Sequence, residues 1–317
     1  MTIPKISMSK IETAIKLLKQ NRGEFFASIL INLNFLFPDK LYLTLLFRLK
    51  MGYWMDWKKP KTFSEKLQWL KLHNRRSEYT TMVDKYAVKE YVAKIIGEEY
   101  IIPTLGVWDR PEDIDWNSLP QKFVLKTTHG GGGSGVVICK DKTTFDKVNV
   151  IVKLKRSLSQ CGYRTLREWP YKNVPKKVIA EVYLENNAHD VSDYDLKDYK
   201  FFCFNGEPVY CQVISGRTNE MCIDFYNTKW EHQPFHEPKD YPFSETKHNK
   251  PSCFEEMSRL ASILSDGLSF LRVDFYELEG KVYFGELTFF PTSGFGGFNP
   301  NEWDYKLGKM IKLPFEN

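Results

Sequence analysis

Apolar positions recur at helical spacing through roughly the first third of the chain and at strand spacing through much of the remainder. Ser9-Lys-Ile-Glu12 reads as a capping box, and Ile11, Ala14, Ile15 and Leu18 follow on one helical face. Residues 25–37 are strongly apolar, interrupted by Asn32 and Asn34 and ended by Pro38 and Asp39. Residues 41–49 resume the pattern and close on Arg48 and Lys50. Neither run approaches the roughly 20 residues that cross a bilayer. Together they predict a buried helical pair, with a helix lying on a membrane surface as the alternative. Thr62-Phe-Ser-Glu65 is a second capping box and opens a helix carrying Phe63, Leu67 and Leu70. Asp84 predicts the cap of a third, with Val88, Tyr91, Val92 and Ile95 on one face.

From Tyr100 the period shortens. Strands are predicted over 101–107, 123–126, 136–139 and 178–184, and a helical stretch over 143–159. Asn205-Gly206 is a strong hairpin signal between predicted strands 200–204 and 208–215. Glu279-Gly280 joins a second hairpin, 270–277 with 281–287. Helical spacing returns over 252–264 and 302–311. The outline is α+β, with a mostly helical beginning followed by hairpin-rich lobes. It divides into a helical region 1–75, an α/β segment 76–120, a lobe 121–182 bearing a glycine-rich loop, and a C-terminal lobe 183–317.

Composition narrows the class. The 317 residues are 42% hydrophobic and 27% charged, as in ordinary globular proteins, and aromatics are high at 15%. A formal net charge of +5, without a Lys/Arg run, suits anionic small ligands and argues against nucleic acid. None of the six cysteines sits in a CxxC pair, so they are expected as reduced core residues rather than zinc ligands. No signal-peptide pattern opens the chain, which gives a cytoplasmic expectation.

Three constellations carry chemistry. In the first, the apolar run Phe123-Val-Leu-Lys126 delivers a lysine into Thr-Thr-His129-Gly-Gly131-Gly132-Gly133-Ser134-Gly135, and another strand follows. Glycines without Cβ atoms let backbone N–H groups approach phosphate oxygens, and the lysine adds a point charge. A strand after the glycines, with no Gly-Lys-Ser/Thr, excludes a P-loop and a dinucleotide fingerprint. The bland alternative is a flexible hairpin. In the second, the strand Ile179-Ala-Glu181-Val182-Tyr-Leu184-Glu185-Asn186 runs into an acidic stretch. Its backbone offers a donor and an acceptor to an adenine edge, and Glu181 an acceptor for the amino group, although a plain strand end looks the same. In the third, Asp274 and Glu286 stand on neighbouring strands and are expected as near cross-strand neighbours on one face. Two such carboxylates repel unless a cation relieves them. Mg2+ bridging nucleotide phosphates is one answer, and salt bridges to Lys or Arg are the other.

In this order the three constellations resemble the ATP-grasp superfamily. The resemblance implies two α+β lobes clasping ATP, with Lys126 and its loop (Gly131, Gly132, Gly133, Ser134 and Gly135) as flap. It implies Val182 and Leu184 as the adenine hinge beside Glu181, and Asp274 and Glu286 as Mg2+ ligands. Asp84-Lys85-Tyr-Ala-Val-Lys89 is similar to the opening of that fold and makes Lys85 the first ATP lysine. A closer resemblance is to the TupA-like branch, associated with teichuronopeptide and other bacterial surface-polysaccharide synthesis. It rests on Lys61-Thr-Phe-Ser-Glu-Lys-Leu-Gln-Trp-Leu-Lys71, Gly97-Glu-Glu-Tyr-Ile-Ile-Pro103, Asp198-Tyr-Lys-Phe-Phe-Cys-Phe-Asn-Gly206, Asp224-Phe-Tyr226 and Gly285-Glu-Leu-Thr-Phe-Phe-Pro291, and spans about 38–309. Thr288 stands where many superfamily members place Asn, so its hydroxyl or a water completes the metal shell. Ser293-Gly-Phe-Gly-Gly-Phe298 replaces the basic residues some members carry.

The resemblance implies a ligase that joins a carboxylate to an amine through an acyl phosphate. Lys200 and Arg217 are expected to contact phosphate or an acidic substrate. The expected partner is a small-molecule or glycan substrate, with contact to the inner membrane face or to a polysaccharide-assembly enzyme left open. Alternatives are a sugar or glycan kinase on the same ATP site, a glycosyltransferase using Asp193-Tyr-Asp195, and a non-catalytic ATP-binding scaffold.

Overall fold

A computed structural model describes residues 21–130, 133, 135–185, 196–216, 220–238 and 240–314. The capping box at Ser9 and its helix through Leu18 lie outside them, as do His189 and Asp193-Tyr-Asp195. Helix α1 (Arg22–Asn32) is capped by the Asn21 side chain, and α2 (Asp39–Met51) stops at Gly52 in the left-handed region. The two pack around Ala27, Leu30, Tyr42, Leu43 and Leu46. The expected buried pair is buried on that face alone: Phe26, Ile29, Leu41 and, in the turn between the helices, Phe35 and Leu36 are exposed. Among the described residues no helix is long and apolar enough to cross a membrane.

Helix α3 (Phe63–His73) opens on Thr62, and both halves of its predicted capping box are formed with Glu65. It buries eight of its eleven residues, five of them polar or charged, so each polar group needs a partner. Ser64 N–H and Oγ donate to Asp304 at 2.9 and 3.0 Å. Lys66 Nζ donates to the Ile311 carbonyl at 2.7 Å, and Gln68 Nε2 to those of Ser293 and Gly294 at 3.0 Å. Gly308 lets the last helix come this close, since a Cβ there would meet the Lys61 carbonyl at 2.3 Å. Short α4 (Glu78–Val83) leads into α5 (Ala87–Ile96), whose first turn is tied by Asp84 accepting from Tyr86 and Ala87 N–H.

The smaller sheet holds β1 (Thr104–Trp108), β2 (Phe123–Thr127), β3 (Val136–Cys139) and β4 (Val178–Val182), antiparallel in the order β1-β4-β2-β3. Helix α6 (Lys147–Ser159), capped by Asp146, covers one face. Phe123, Leu125, Val150, Leu154, Val178 and Ala180 make that core. The two-residue period of β2 then sends Val124 and Lys126 to the other face. Short α7 (Gly162–Leu166) and a 3-10 turn over Trp169–Asn173 lead into β4.

The larger sheet has five antiparallel strands in the order β7-β6-β5-β8-β9: β5 (Asp198–Phe204), β6 (Glu207–Ser215), β7 (Cys222–Asn227), β8 (Phe270–Leu278) and β9 (Lys281–Thr288). Both predicted hairpins form. Asn205 and Gly206 (φ 52° and 85°) and Glu279 and Gly280 (φ 53° and 75°) adopt the left-handed conformations that match strand twist. Helix α8 (Phe254–Ser265) and α9 (Glu302–Met310) complete the lobe, whose core includes Phe201, Phe225, Phe254, Leu260, Phe270 and Phe275. Strand β7 was not predicted, because an acid interrupts its six residues and no tight turn announces it.

Candidate active site

The free faces of the two sheets line one cleft of about 1840 Å³. That exceeds the roughly 300–1,000 Å³ of a single small-ligand site. Nine Lys and Arg side chains line it against five carboxylates, so its lining carries an excess of positive charge.

On the smaller sheet, β2 and β3 form the expected hairpin, with Lys126 opposite Val136. Thr127 N–H donates to the Gly135 carbonyl at 3.1 Å and closes the loop. Gly135 has to be glycine, since a Cβ there would stand 2.0 Å from Thr127 Oγ1. Gly133 has φ 77°. Gly131, Gly132 and Ser134 lie outside the described residues. Val124 pairs with Glu181 across β4, so Lys126 and Glu181 are diagonal neighbours on the cleft face.

The Glu181 carboxylate is buried at 4% exposure, and lysines hold both its oxygens: Lys126 Nζ at 2.5 Å and Lys89 Nζ at 2.5 Å. Burial pushes its pKa up, but the two ammonium groups outweigh this and hold it below the usual range. Glu181 therefore orients lysines rather than presenting a free acceptor to a base. Lys89, four residues after Lys85, stands beside Lys126 on Glu181, while Lys85 reaches Glu286. Its signal was there in the i, i+4 spacing. The hinge also differs from expectation in one group. Val182 N–H already donates to the Pro103 carbonyl at 3.1 Å, while Leu184 has no backbone partner among the described residues. Val182, Leu184, Ile102, Leu196 and Phe284 give the cleft apolar lining.

On the larger sheet Asp274 and Glu286, expected as near neighbours, are directly paired across β8 and β9 because a bulge at Gly285 shifts the register there. Three cations hold them together. Arg272 Nε and Nη2 donate to Asp274 at 2.7 and 2.8 Å, and Nη2 also reaches Glu286 at 3.1 Å and Thr288 Oγ1 at 3.0 Å. Lys200 Nζ bonds Asp274 and lies 3.5 Å from Asp198. Lys85 Nζ bonds Glu286 at 3.1 Å. Burial raises the Glu286 pKa, yet Lys85, Arg272 and Lys200 drive it far below the usual range. The two acids are thus salt-bridged, and Lys85 and Lys200 belong to this cluster. Arg272, two residues before Asp274, was not singled out in the sequence, although i, i+2 spacing on a strand puts both on one face. Arg217 lies outside the described residues.

Past Thr288 the chain turns sharply. Thr292, Ser293 and Gly294 have φ 44°, 54° and 66°, which is costly for the first two. Polar contacts pin the turn: Thr292 Oγ1 donates to Glu237, Ser293 Oγ to Glu168, and Lys71 Nζ donates to the Ser293 carbonyl at 2.8 Å and to that of Leu166 at 2.9 Å. Lys71 is fully buried, and burial lowers its pKa to about 7 against the attraction of Glu168.

The chain can be set beside known proteins on this geometry. The TupA-like ATP-grasp family profile matches residues 65–312. No curated protein sequence matches. Among solved structures, D-alanine–D-alanine ligase from Helicobacter pylori is similar over 78% of this chain and 69% of its own, at 16% identity and TM-score 0.40. The Bacillus anthracis D-alanine–D-alanine ligase is similar over 67% and 58%, at 19% identity and TM-score 0.39. A RimK-domain ATP-grasp protein from Sphaerobacter thermophilus is similar over 75% and 70%, at 10% identity and TM-score 0.41. The family match runs from α3 past α9 and so takes in the glycine hairpin, both carboxylate clusters and the turn behind them; the chain belongs to the TupA-like ATP-grasp family.

Proposed function

We propose that the chain is an ATP-dependent ligase that joins a carboxylate to an amine with formation of a C–N bond. One observation carries this reading: a lysine-bearing glycine hairpin and a paired-carboxylate cluster face the same cleft, which has room for a nucleotide and more. Lys126 and Lys89 would meet phosphate oxygens, and the Leu184 backbone and its apolar neighbours the base. Asp274, Glu286 and the Thr288 hydroxyl are an all-oxygen donor set suited to Mg2+. Among the described residues no three carboxylate, His or Cys side chains are grouped to hold a metal unaided, so phosphate oxygens and water would complete the shell. When bound there, Mg2+ supplies neutralisation of phosphate charge.

A substrate carboxylate would attack the γ-phosphorus and release ADP, and an amine would then attack the acyl carbon, displace phosphate and give up a proton. The residues of this chain contribute by positioning and charge, as is general in phosphoryl transfer. Arg272 and Lys200 steady the acids, Lys85 spans towards the hairpin side, and the glycine loop shields the acyl phosphate from water. The resemblance supports an amino acid or amine and an acidic glycan of surface-polysaccharide synthesis as substrates. The exposed apolar face of α1 supports work at the inner membrane face. The test is ADP release with Mg2+ across amino acids and uronic acids, followed by product mass. The reading requires ADP release that depends on both an acid and an amine, and a product mass equal to their sum less water. ADP release with a phosphorylated product would replace the ligase by a kinase.

A further inference from the structure

Among the described residues lining the cleft, His129 has both of its polar side-chain atoms buried and without a hydrogen-bond partner. It closes the turn between β2 and the glycine loop, is 4% exposed, and lines the cleft. Neither ring nitrogen has a hydrogen-bond partner. The carbonyls of Ser157 and Gln160 lie near the ring without reaching bonding geometry, and they already accept from Gln160 N–H and Lys176 Nζ. Leaving a buried imidazole unsatisfied on both sides costs on the order of 1–3 kcal/mol per group, so such a residue calls for a ligand. The charges around it name the ligand's sign. Burial first, and then the ammonium groups of Lys176 and Lys85, lower its pKa and outweigh the opposing pull of the nearby Ser157 and Gln160 carbonyls. The ring is therefore neutral near pH 7 and carries one N–H donor. The backbone beside it is fixed: Thr128 accepts from Lys85 N–H and donates to the Lys177 carbonyl, each at 3.0 Å.

We propose that His129 is a phosphate ligand, donating a ring N–H to a terminal phosphoryl oxygen of a nucleotide held between Lys85 and Lys176. This rests on the nucleotide reading above and adds to it a residue, a donor atom and a part of the ligand. An anion there satisfies the orphaned donor and offsets the two ammonium groups together. The glycine loop begins at the next residue, so the same contact sets the hairpin's base against the phosphates.

The experiment uses the full chain, 15N-labelled, with AMPPNP and with AMP as separate ligands. Ring 15N–1H correlations should show His129 shifting with AMPPNP, its pKa rising by about one unit or more, and neither change with AMP. In calorimetry, His129→Phe should lose about tenfold in AMPPNP affinity and leave AMP affinity unchanged, and His129→Asn, which keeps a donor, should recover part of the loss. Unchanged ring signals with saturating AMPPNP overturn the proposal even if the Phe variant does not fold. So does an equal loss for AMP and AMPPNP, which is the mark of a purely structural role. If wild type binds neither nucleotide, the nucleotide reading itself falls.

Discussion

The two carboxylate clusters of the cleft are built from the same side-chain types and come out with opposite character. On the smaller sheet one carboxylate, Glu181, holds two lysines, and the cluster carries a formal surplus of one positive charge. On the larger sheet Asp198, Asp274 and Glu286 face Lys85, Lys200 and Arg272, and the charges balance. The first arrangement is ready for an anion. The second is already neutralised by its own side chains, and the proposed divalent ion would have to displace Arg272 or a lysine from the acids. The lesson is that counting acids does not locate a metal site. What matters is how many cations each acid already has.

Four measurements can break or sharpen that contrast. The largest effect is expected on turnover: Glu286→Gln should lower ADP release by about 10²–10³-fold while the fold persists by circular dichroism. Wild-type rates in this variant would remove the larger-sheet cluster from the chemistry. Next comes stability. Asp274, at 2% exposure, holds Arg272 and Lys200 in a buried site, and Asp274→Asn should cost about 3 kcal/mol in denaturant unfolding. Glu286, a third exposed, should cost less than about 1 kcal/mol. Equal losses would mean that the two acids are not distinguished by burial. Third, Lys126→Met and Lys89→Met should each weaken AMPPNP binding about tenfold, because both lysines flank one carboxylate. A silent Lys89→Met would leave the first-lysine role to Lys85 alone.

The smallest effect is on pH dependence. Burial raises the pKa of Glu237, behind the strained turn, to about 7, and that of Asp304, against α3, to about 6. A raised folded-state pKa means that the unfolded chain binds fewer protons in this window. The contribution is therefore full below about pH 4 and is lost as pH rises towards 7. Thermal melts from pH 5 to 7 should fall with pH by a few degrees, and Glu237→Gln should flatten the slope. A slope unchanged in that variant would assign the dependence to other groups.

Much of this was written locally in the chain. Asn205-Gly206 and Glu279-Gly280 mark two hairpins; counting from the second sets Asp274 opposite Gly285, and a bulge at Gly285, which the pattern does not announce, brings Glu286 opposite it instead. Lys126 at the end of an apolar strand, and glycines between two strands, mark the flap. What could not be read is everything that depends on distant pairing. Glu181 looks the same in a strand pattern whether it meets a base or two lysines. Lys89 joins Lys126 only because α5, packed against α8 of the larger lobe, brings Lys89 to Glu181, and Arg272 becomes a bridge only when β9 lies alongside. The capping box foretold α3, but a helix rich in Lys, Gln and Glu reads as a solvated one. Its burial is set by carbonyls more than 200 residues away.

That helix has a practical consequence for anyone cutting or grafting the protein. Lys66, Gln68 and Lys71 reach the final strand-to-helix turns from the opposite end of the chain, so the catalytic half is keyed shut by a peg from the amino-terminal half. A shortened chain beginning after His73, or a chimera that swaps the first seventy-odd residues for a stranger's, would strip the left-handed turn at Thr292 and Ser293 of its Gln68 and Lys71 contacts and leave it only those of Glu168 and Glu237. Swaps should therefore carry α3 along with the C-terminal lobe, as one inherited unit.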